Sequence, residues 1–426
     1  MSPNPRRAPS RPAGFTLVEI MIGLLIGVIG IVVIMQTFAV SEGYKRTATS
    51  GTDAQVNGGI ALYLLQRDLR NAGYGITPLV MAGCTSVVVW NSASGTSTAV
   101  RWVPVDVNPA GIPAGDPNTD VILVAHGTSD SFVTGVAANQ VANSTDQFDI
   151  TVNRDGFRNG DLVVGVQPGG GAGGSTSCVL NELTAVPSAN GSCSAPLPPG
   201  SSYLLHGTSV YKNNSAACAN TTPTHNAAGG IVDPGGVPVP RLNQANGAQL
   251  FDMGGAPEVK IYAIRNGNLT MCNAVTADCT NVANYDVVVN DIVSMHAIFG
   301  GDYVGSPPAG STALGDGVVD QWSRNPLAAA NDVLRTLAVA IEITARSNLR
   351  EKPSPGSTTC DTTPDPTRPD RAQTTDWYQP LAALAVGSLA GAQIDVSHGG
   401  AVTDFNCYRY KLFQTVVPLR NLVWRP

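Results

Sequence analysis

The chain has 426 residues, of which 43% are hydrophobic and 13% are charged, and its formal net charge is −6. Charged residues are about half as frequent as in an ordinary soluble domain. The acidic balance and the lack of a basic stripe with interleaved aromatic residues exclude a nucleic-acid-binding surface. The hydrophobic content is enough for one large core or for two.

A short basic segment precedes a long apolar run near the N-terminus. Residues 1–14 contain three arginines, and Ile20–Val40 contains no charged residue. A run of about 20 apolar residues is long enough to span a membrane as a helix. The small residues Ala13 and Gly14 come before the apolar run, whereas a secretory signal has its cleavage site after it. The apolar helix is therefore expected to remain on the mature chain.

One carboxylate, that of Glu19, lies at the edge of this apolar run. A charge inside hydrocarbon costs about 2.5–3.5 kcal/mol on insertion scales, so an acid at this place is expected to have a functional partner. A plain single-pass anchor agrees with the length and polarity of the run but gives no reason for Glu19.

The string Gly14–Glu19, which reads Gly-Phe-Thr-Leu-Val-Glu, resembles the prepilin signature of type IV pilins and type II secretion pseudopilins. The resemblance implies that a prepilin peptidase removes residues 1–14 as a leader by cutting between Gly14 and Phe15. It also implies that Glu19 pairs with the N-terminal amine of Phe15 in a neighbouring subunit and sets the register of the two.

Glycines recur within the apolar run at Gly23, Gly27 and Gly30. Small residues four apart allow two membrane helices to approach closely, which predicts a helix-packing role for Gly23 and Gly27. Glycine is also frequent in transmembrane helices in general. Both interpretations stay open.

The helix is expected to continue far beyond the membrane, over residues 15–75. No proline occurs between Phe15 and Gly73. Spacings of three and four predict that one apolar face packs on a globular domain, and its members are Val56, Ile60, Leu64, Leu65 and Leu69. The predicted helix thus has a membrane half and an amphipathic half.

Residues 76–426 alternate short β-branched runs with Gly, Pro, Asn and Ser, which is typical of antiparallel β structure. The predicted fold class is α+β, a long N-terminal helix packed on a large antiparallel β-rich domain. The predicted strands are Thr85–Trp90, Ala99–Val105, Val121–Ala125, Gln147–Val152, Asp161–Gln167, Tyr203–Tyr211, Glu258–Arg265, Asn268–Cys272, Val287–Phe299, Leu334–Arg346 and Tyr408–Val417.

Turn and loop signals separate these strands. Asn266-Gly267 predicts a two-residue hairpin turn. Long loops are predicted at Pro168–Ser177, Pro187–Ser201, Ala216–Pro240 and Lys352–Thr375. Loops of this kind are also where binding sites are often found.

All cysteines follow the apolar run, and their number is even: Cys84, Cys178, Cys193, Cys218, Cys272, Cys279, Cys360 and Cys407. This pattern predicts disulfides formed in an oxidising compartment. Cys272 and Cys279 are close enough in sequence to close a small loop, and the other pairings stay open. Zinc is the rival interpretation, but the chain has no Cys-x-x-Cys motif.

Three aspartates, Asp302, Asp316 and Asp320, lie in a glycine-rich stretch and indicate a weak calcium candidate. Their spacing departs from an EF-hand loop, because the closing glutamate is missing. A solvated turn is the preferred interpretation, and no cofactor is expected.

Both ends of the domain resemble the PilW family of minor pilins. The stretches that carry this resemblance are Leu69–Gly75, Asn290–Val293, Phe299–Asp302, Gly315–Asp320, Leu337–Arg346, Tyr408–Tyr410 and Val416–Asn421. Residues 165–256 resemble no family.

The resemblance implies a minor pilin that primes or caps a type IV pilus at the inner membrane and the pilus tip. The β domain would be in the periplasm. The expected partners are other minor and major pilins, the prepilin peptidase, the inner-membrane assembly platform and a tip adhesin. A type II secretion pseudopilin and a tip adhesin or binding module are the alternatives. No catalytic motif is present, so no enzyme activity is expected.

Overall fold

The computed structural model describes residues 14–131, 134–140, 146–150, 156–170, 175–187, 197, 201–213, 218–302, 317–319, 321–323, 330–351, 360, 396 and 405–423. It confirms the predicted class, a long N-terminal helix followed by a large β-rich domain.

Helix α1 spans Leu17–Asn71, 55 residues, which corresponds to about 80 Å. Its first part, Leu17–Phe38, is long and apolar enough to cross a membrane and has a mean hydropathy of 2.9. The helix ends where Gly73 and Gly75 adopt φ values of 84° and 70°. These left-handed conformations favour glycine, so the Gly-Tyr-Gly sequence turns the chain away from the helix axis.

The predicted docking face of the amphipathic half is partly wrong. Val56 and Ile60 are 52% and 47% exposed. Leu65 and Leu69 are fully buried as predicted, and the same buried stripe contains Ala54, Gly58 and Ala61. The domain packs on small residues because they let β strands approach the helix axis closely. Residue size, and not hydrophobicity alone, selects the buried face.

Within the described residues three short α-helices follow, α2 (Thr77–Met81), α3 (Ala330–Arg335) and α4 (Arg420–Val423). The strands within the described residues are β1 Ser86–Asn91, β2 Thr96–Arg101, β3 Val105–Val107, β4 Ile122–His126, β5 Val136–Gln140, β6 Gln147–Ile150, β7 Leu162–Gln167, β8 Ser177–Glu182, β9 Tyr203–Leu205, β10 Tyr211–Lys212, β11 Asn220–Thr221, β12 Gln249–Gly254, β13 Glu258–Arg265, β14 Asn268–Asn273, β15 Asp286–Val289, β16 Ile292–Gly301, β17 Gln321–Ser323, β18 Thr336–Arg346 and β19 Tyr410–Pro418.

These strands form three main sheets and the small pair β10-β11. The first has the order β2-β1-β8-β7-β12-β5-β6-β9, the second β15-β14-β13-β4-β3, and the third β17-β16-β18-β19. Neighbouring strands are antiparallel, except for the parallel contact of β1 with β8 at Val88 and Val179.

Several predicted strands are shorter than expected or are divided. Val287–Phe299 forms β15 and β16, because Asp291 takes a φ of 57° between them. Ala99–Val105 is divided before Pro104, and Tyr203–Tyr211 is divided between β9 and β10.

The prediction missed β5, β8, β12, β17 and β11, the last within the predicted loop Ala216–Pro240. The Asn266-Gly267 turn is confirmed, since Arg265 pairs with Asn268 across it.

The buried residues form two large cores and a smaller one. The largest joins helix α1 to the second sheet and to one face each of the first and third sheets, with Leu65, Ile261 and Ile341 among its members. The second lies around Phe148 and Leu250 in the first sheet. Strands β16 and β18 are buried on both faces, because the small third core covers their other side.

Gly58→Leu is expected to lower the free energy of unfolding by about 1–3 kcal/mol, the usual cost of overpacking. A Cβ at Gly58 would overlap the Phe413 ring, whereas one at Gly59 would meet nothing within 4 Å. Gly59→Leu is therefore the matched control, and it should be neutral or slightly stabilising. Thermal unfolding of the full chain in detergent, followed by near-UV circular dichroism, measures both. Equal melting temperatures for the two variants would contradict this contact.

Candidate functional site

The beginning of helix α1 is closed by a reciprocal cap. Thr16 is the N-cap residue, and its hydroxyl accepts from the Glu19 amide at 3.3 Å. The Glu19 carboxylate in turn accepts from the Thr16 amide at 3.0 Å and from the Thr16 hydroxyl at 3.0 Å. Thr-x-x-Glu before an apolar run is the sequence signature of a capping box. Sequence reasoning assigned Glu19 a role between subunits and missed this one within the subunit.

The apolar half of α1 is not buried against any described part of the domain. None of the window Leu17–Phe38 is buried, and Phe15 is 84% exposed. A Cβ at Gly23 or Gly27 would meet nothing within 4 Å, so this small-residue face is open to another helix. The predicted site residues Phe15, Gly23 and Gly27 therefore lie on an exposed surface of the helix.

A buried polar network joins the outer half of α1 to strand β13. Asp68 is 2% exposed, and its carboxylate accepts from the Tyr262 hydroxyl at 2.5 Å. Lys260 Nζ lies 3.1 Å from the same oxygen, and Arg67 Nε donates to the other at 2.9 Å. Burial alone would raise the pKa of Asp68, but the hydrogen bonds and the two cations outweigh it and lower the pKa. Lys260 also contacts Glu258 at 2.5 Å, which extends the network to the surface.

The C-terminal segment holds the end of the helix. Asn421 Nδ2 donates to the carbonyl oxygens of Asn71 and Ala72, each at 3.1 Å. The Thr77 hydroxyl donates to the Asn421 carbonyl at 3.2 Å. The last carbonyls of a helix lack partners within the helix, so these bonds act as a cap supplied from the other end of the chain. One turn earlier, Gln66 Nε2 donates to Thr415 Oγ1 at 2.9 Å.

Disulfides link distant parts of the domain. The structure pairs Cys84 with Cys178, Cys272 with Cys279, and Cys360 with Cys407. Cys218 is also disulfide-bonded, and Cys193 lies outside the described residues. The Cys84–Cys178 bond closes a loop with a sequence separation of 94. A loop of this length is worth about 4–5 kcal/mol in the chain-entropy model.

The calcium candidate is described only in part. Asp302 is 5% exposed, and its carboxylate accepts from the Gly317 amide at 2.7 Å. Asp316 and Asp320 lie outside the described residues. Within the part of the chain that the structure describes, no group of three His, Cys, Asp or Glu side chains could hold a metal ion. Asp302 thus bonds to the backbone at Gly317.

Further buried acids of the domain include Asp161, beside Asp252, and Glu342 in strand β18. Burial, with the charge of Asp252 as a second cause, raises the pKa of Asp161 to about 7. Burial also raises the pKa of Glu342, which is fully buried, to about 7. The nearby His296 partly opposes this shift and itself contacts Asp120 at 3.3 Å. Sequence reasoning did not single out these acids.

Raising the pH from 5 to 8 is expected to remove the stability that Asp161 and Glu342 contribute, whereas His206, whose pKa burial lowers to about 4, gains stability over the lower part of this range. A pKa raised above its unfolded value gives a contribution to stability that is present at low pH and lost as the pH rises through about 7. Asp161→Asn should reduce this loss, whereas Asp286→Asn, at an exposed position, should not. Thermal melts of the full chain at each pH provide the measurement, and an equal change in melting temperature from pH 5 to pH 8 in the wild type and in Asp161→Asn would contradict the assignment.

Residues 9–35 match the family model of the prokaryotic N-terminal methylation motif. The match, together with the apolar helix that follows, supports a type IV pilin-like or pseudopilin-like subunit. Such a motif fits membrane anchoring, incorporation into a pilus, and interaction with a prepilin peptidase and other pilus components. Neither a curated protein nor a solved structure matches the chain.

Proposed function

We propose that this chain is a minor pilin of the type IV pilus, similar to the PilW family, that primes or caps filament assembly. The observation that carries the proposal is the single uninterrupted helix Leu17–Asn71 behind the methylation motif. Its apolar half is free for other subunits, and its outer half is fixed to a large β domain. A rigid rod of this kind can pass from the membrane into a filament without refolding.

In this function Glu19 registers neighbouring subunits. Leader removal at Gly14 would create an amine at Phe15, and the capping box shows that the Glu19 carboxylate already gathers N–H and O–H donors. A neighbour's amine would be a stronger, charge-assisted donor. The partners are other minor and major pilins, the prepilin peptidase, the assembly platform and a tip adhesin.

Two other functions are the alternatives to a minor pilin. A type II secretion pseudopilin would use the same N-terminal motif. A tip adhesin or binding module would use the loops of the domain. The proposed role requires no catalysis, and the proposal places the β domain in the periplasm.

Complementation of a deletion strain tests this function. The wild-type chain should restore pili and should have Phe15 as its mature N-terminus by mass spectrometry. Gly14→Val, which places a branched side chain at the cleavage site, should leave the leader attached and restore no pili. Loss of type II secretion in the deletion strain, with pili intact, would favour the pseudopilin. A mature N-terminus beyond Val40 would contradict both.

A further inference from the structure

A cavity of about 580 Å³ lies between the end of helix α1 and the first sheet. Tyr74, Pro78 and Met81 form one wall, at the turn after α1 and in helix α2. Strands β7 and β12 form the opposite wall with Val166 and Phe251. The volume falls within the range of about 300–1,000 Å³ that is typical of binding pockets. The cavity is therefore large enough for a bulky side chain.

Two apolar side chains of this cavity are left exposed by the described part of the domain. Met81 is 64% exposed and Tyr74 is 40% exposed, although both line the wall. The Tyr74 hydroxyl donates to the Ser129 carbonyl at 2.6 Å, which fixes the ring in the wall. Removing apolar surface from water is favourable in proportion to its area. A further apolar group in the cavity would therefore stabilise the domain.

The C-terminal segment reaches this cavity in a fixed position. Asn421, in helix α4, lines the cavity, and its Nδ2 donates to the carbonyls of Asn71 and Ala72. Leu419 and Leu422, on either side of it in sequence, are buried in the largest core. Helix α4 is therefore anchored both by its polar and by its apolar side chains at the edge of the cavity.

Trp424 follows helix α4 directly and lies outside the described residues. Three residues of chain span at most about 11 Å, so the Cα atom of Trp424 is within this distance of the Cα atom of Asn421 in any backbone conformation. Position 424 is also three residues after Asn421, the spacing at which side chains on a helix are neighbours. The cavity is thus within reach of the Trp424 side chain.

The walls match an indole better than a charged side chain. No charged side chain lines the cavity among the described residues, so an ion there would lose its hydration without a counter-charge. An indole has a large apolar body and one N–H donor, which usually finds an acceptor when it is buried. Gln249 and Thr134 line the cavity and carry side-chain oxygens that can accept this bond. Of the residues Trp424, Arg425 and Pro426, only the tryptophan combines a large apolar area with such a donor.

We propose that the indole of Trp424 occupies this cavity and joins the C-terminal segment to the first sheet. Asn421 fixes this segment to the end of α1, and the Leu419 amide donates to the Leu337 carbonyl in the third sheet. Trp424 in the cavity adds a contact with strands β7 and β12. One short segment then holds the helix and two sheets together. The inference does not depend on the proposed function, because the contact lies within one chain.

Photo-crosslinking of the full chain in detergent tests this contact. The chain carries p-benzoylphenylalanine in place of Trp424, an aromatic residue that forms a bond to nearby C–H groups on irradiation. The expected product is a crosslink within one chain to a peptide that contains Met81 or Phe251, identified by mass spectrometry. The control has the same probe in place of Leu412, six residues before the end of strand β19 and about 20 Å from it. It should not give this product.

Two substitutions test the same contact through stability. Trp424→Ala and Met81→Glu should each lower the melting temperature by at least about 3 °C, because the first removes the indole and the second places a charge in the cavity wall. The double variant should melt no lower than the more affected single variant, since both changes remove one contact. Val282→Glu, at an apolar residue that is 49% exposed outside the cavity, is the matched control for the charge. Its effect should be small and should add to that of Trp424→Ala.

Three results would overturn the proposal. One is a crosslink from position 424 only between two chains, which would mean that Trp424 contacts a second copy. The second is no crosslink, or one within the chain only to peptides without a residue of the cavity. The third is full additivity of Trp424→Ala and Met81→Glu, or an unchanged melting temperature in Trp424→Ala. Near-UV circular dichroism confirms the fold of each variant before the comparison, and the crosslinking decides the matter if a variant does not fold.

Discussion

Asp68→Ala is expected to lower the free energy of unfolding by about 3–5 kcal/mol, because breaking one side of a buried ion pair leaves the other charge without compensation. Lys260 and the Tyr262 hydroxyl both contact Asp68 in the core between the helix and the second sheet. The expected result is a large fall in melting temperature and exposure of the outer half of α1 to proteolysis. Thermal unfolding and limited proteolysis of the full chain in detergent measure the two effects.

The controls separate charge from hydrogen bonding. Asp68→Asn keeps an acceptor for Tyr262 but removes the charge opposite Lys260, so its loss should be smaller than that of the alanine variant. Asp53→Ala removes an acid from the same helix at a half-exposed position, and it should change stability by no more than about 0.5 kcal/mol. If Asp68→Ala lowers the melting temperature no more than Asp53→Ala does, the network does not stabilise the packing of the helix on the domain.

Glu19→Gln is expected to abolish or strongly reduce incorporation into pili while leaving membrane insertion intact. Glutamine is accepted at the third position of a capping box, so the cap on Thr16 should persist. The negative charge that would attract a neighbour's Phe15 amine is lost. Pilus counts by electron microscopy and co-purification with partner pilins measure the effect.

A comparison of substitutions distinguishes the two roles of Glu19. Glu19→Ala removes the charge and the carboxylate half of the cap, and Thr16→Ala removes only the hydroxyl half. If the charge registers subunits, the glutamine and alanine variants should fail alike and Thr16→Ala should assemble nearly normally. Normal assembly of Glu19→Gln together with failure of Thr16→Ala would mean that pilus assembly requires the cap and not the charge.

The sequence predicts the long helix well because its signals are local. The lack of proline, the apolar run and the terminal glycines act within a few residues of the positions that they determine. The docking face was harder to predict, because Gly58 and Ala61 are buried for their small size against Phe413 and its neighbours. That choice depends on a strand more than 300 residues away, as the Gln66–Thr415 bond shows.

The sequence likewise predicted some residues of the candidate site and missed others. The motif residues Gly14, Phe15 and Glu19 stand out in sequence, and the Thr16 cap could have been found from its spacing to Glu19. Asp68 interrupts a buried stripe, which is a weak signal before its partners on β13 are known. Strands β5 and β12 were missed because pairing with β7 and β6, and not their own composition, determines them.

The hydrogen bonds from Asn421 to the end of helix α1 have a consequence for the synthesis of the chain. Asn421 bonds to the end of α1 across a sequence separation of 350 residues, so the helix is secured by a segment that the ribosome makes much later. Until residues 410–423 are available, the carbonyls of Asn71 and Ala72 lack these partners and β18 lacks its neighbour β19. A chain that ends before residue 410 would have the apolar helix but a domain without strand β19. Synthesis as far as residue 423 is thereby coupled to the fixing of helix α1 on the domain.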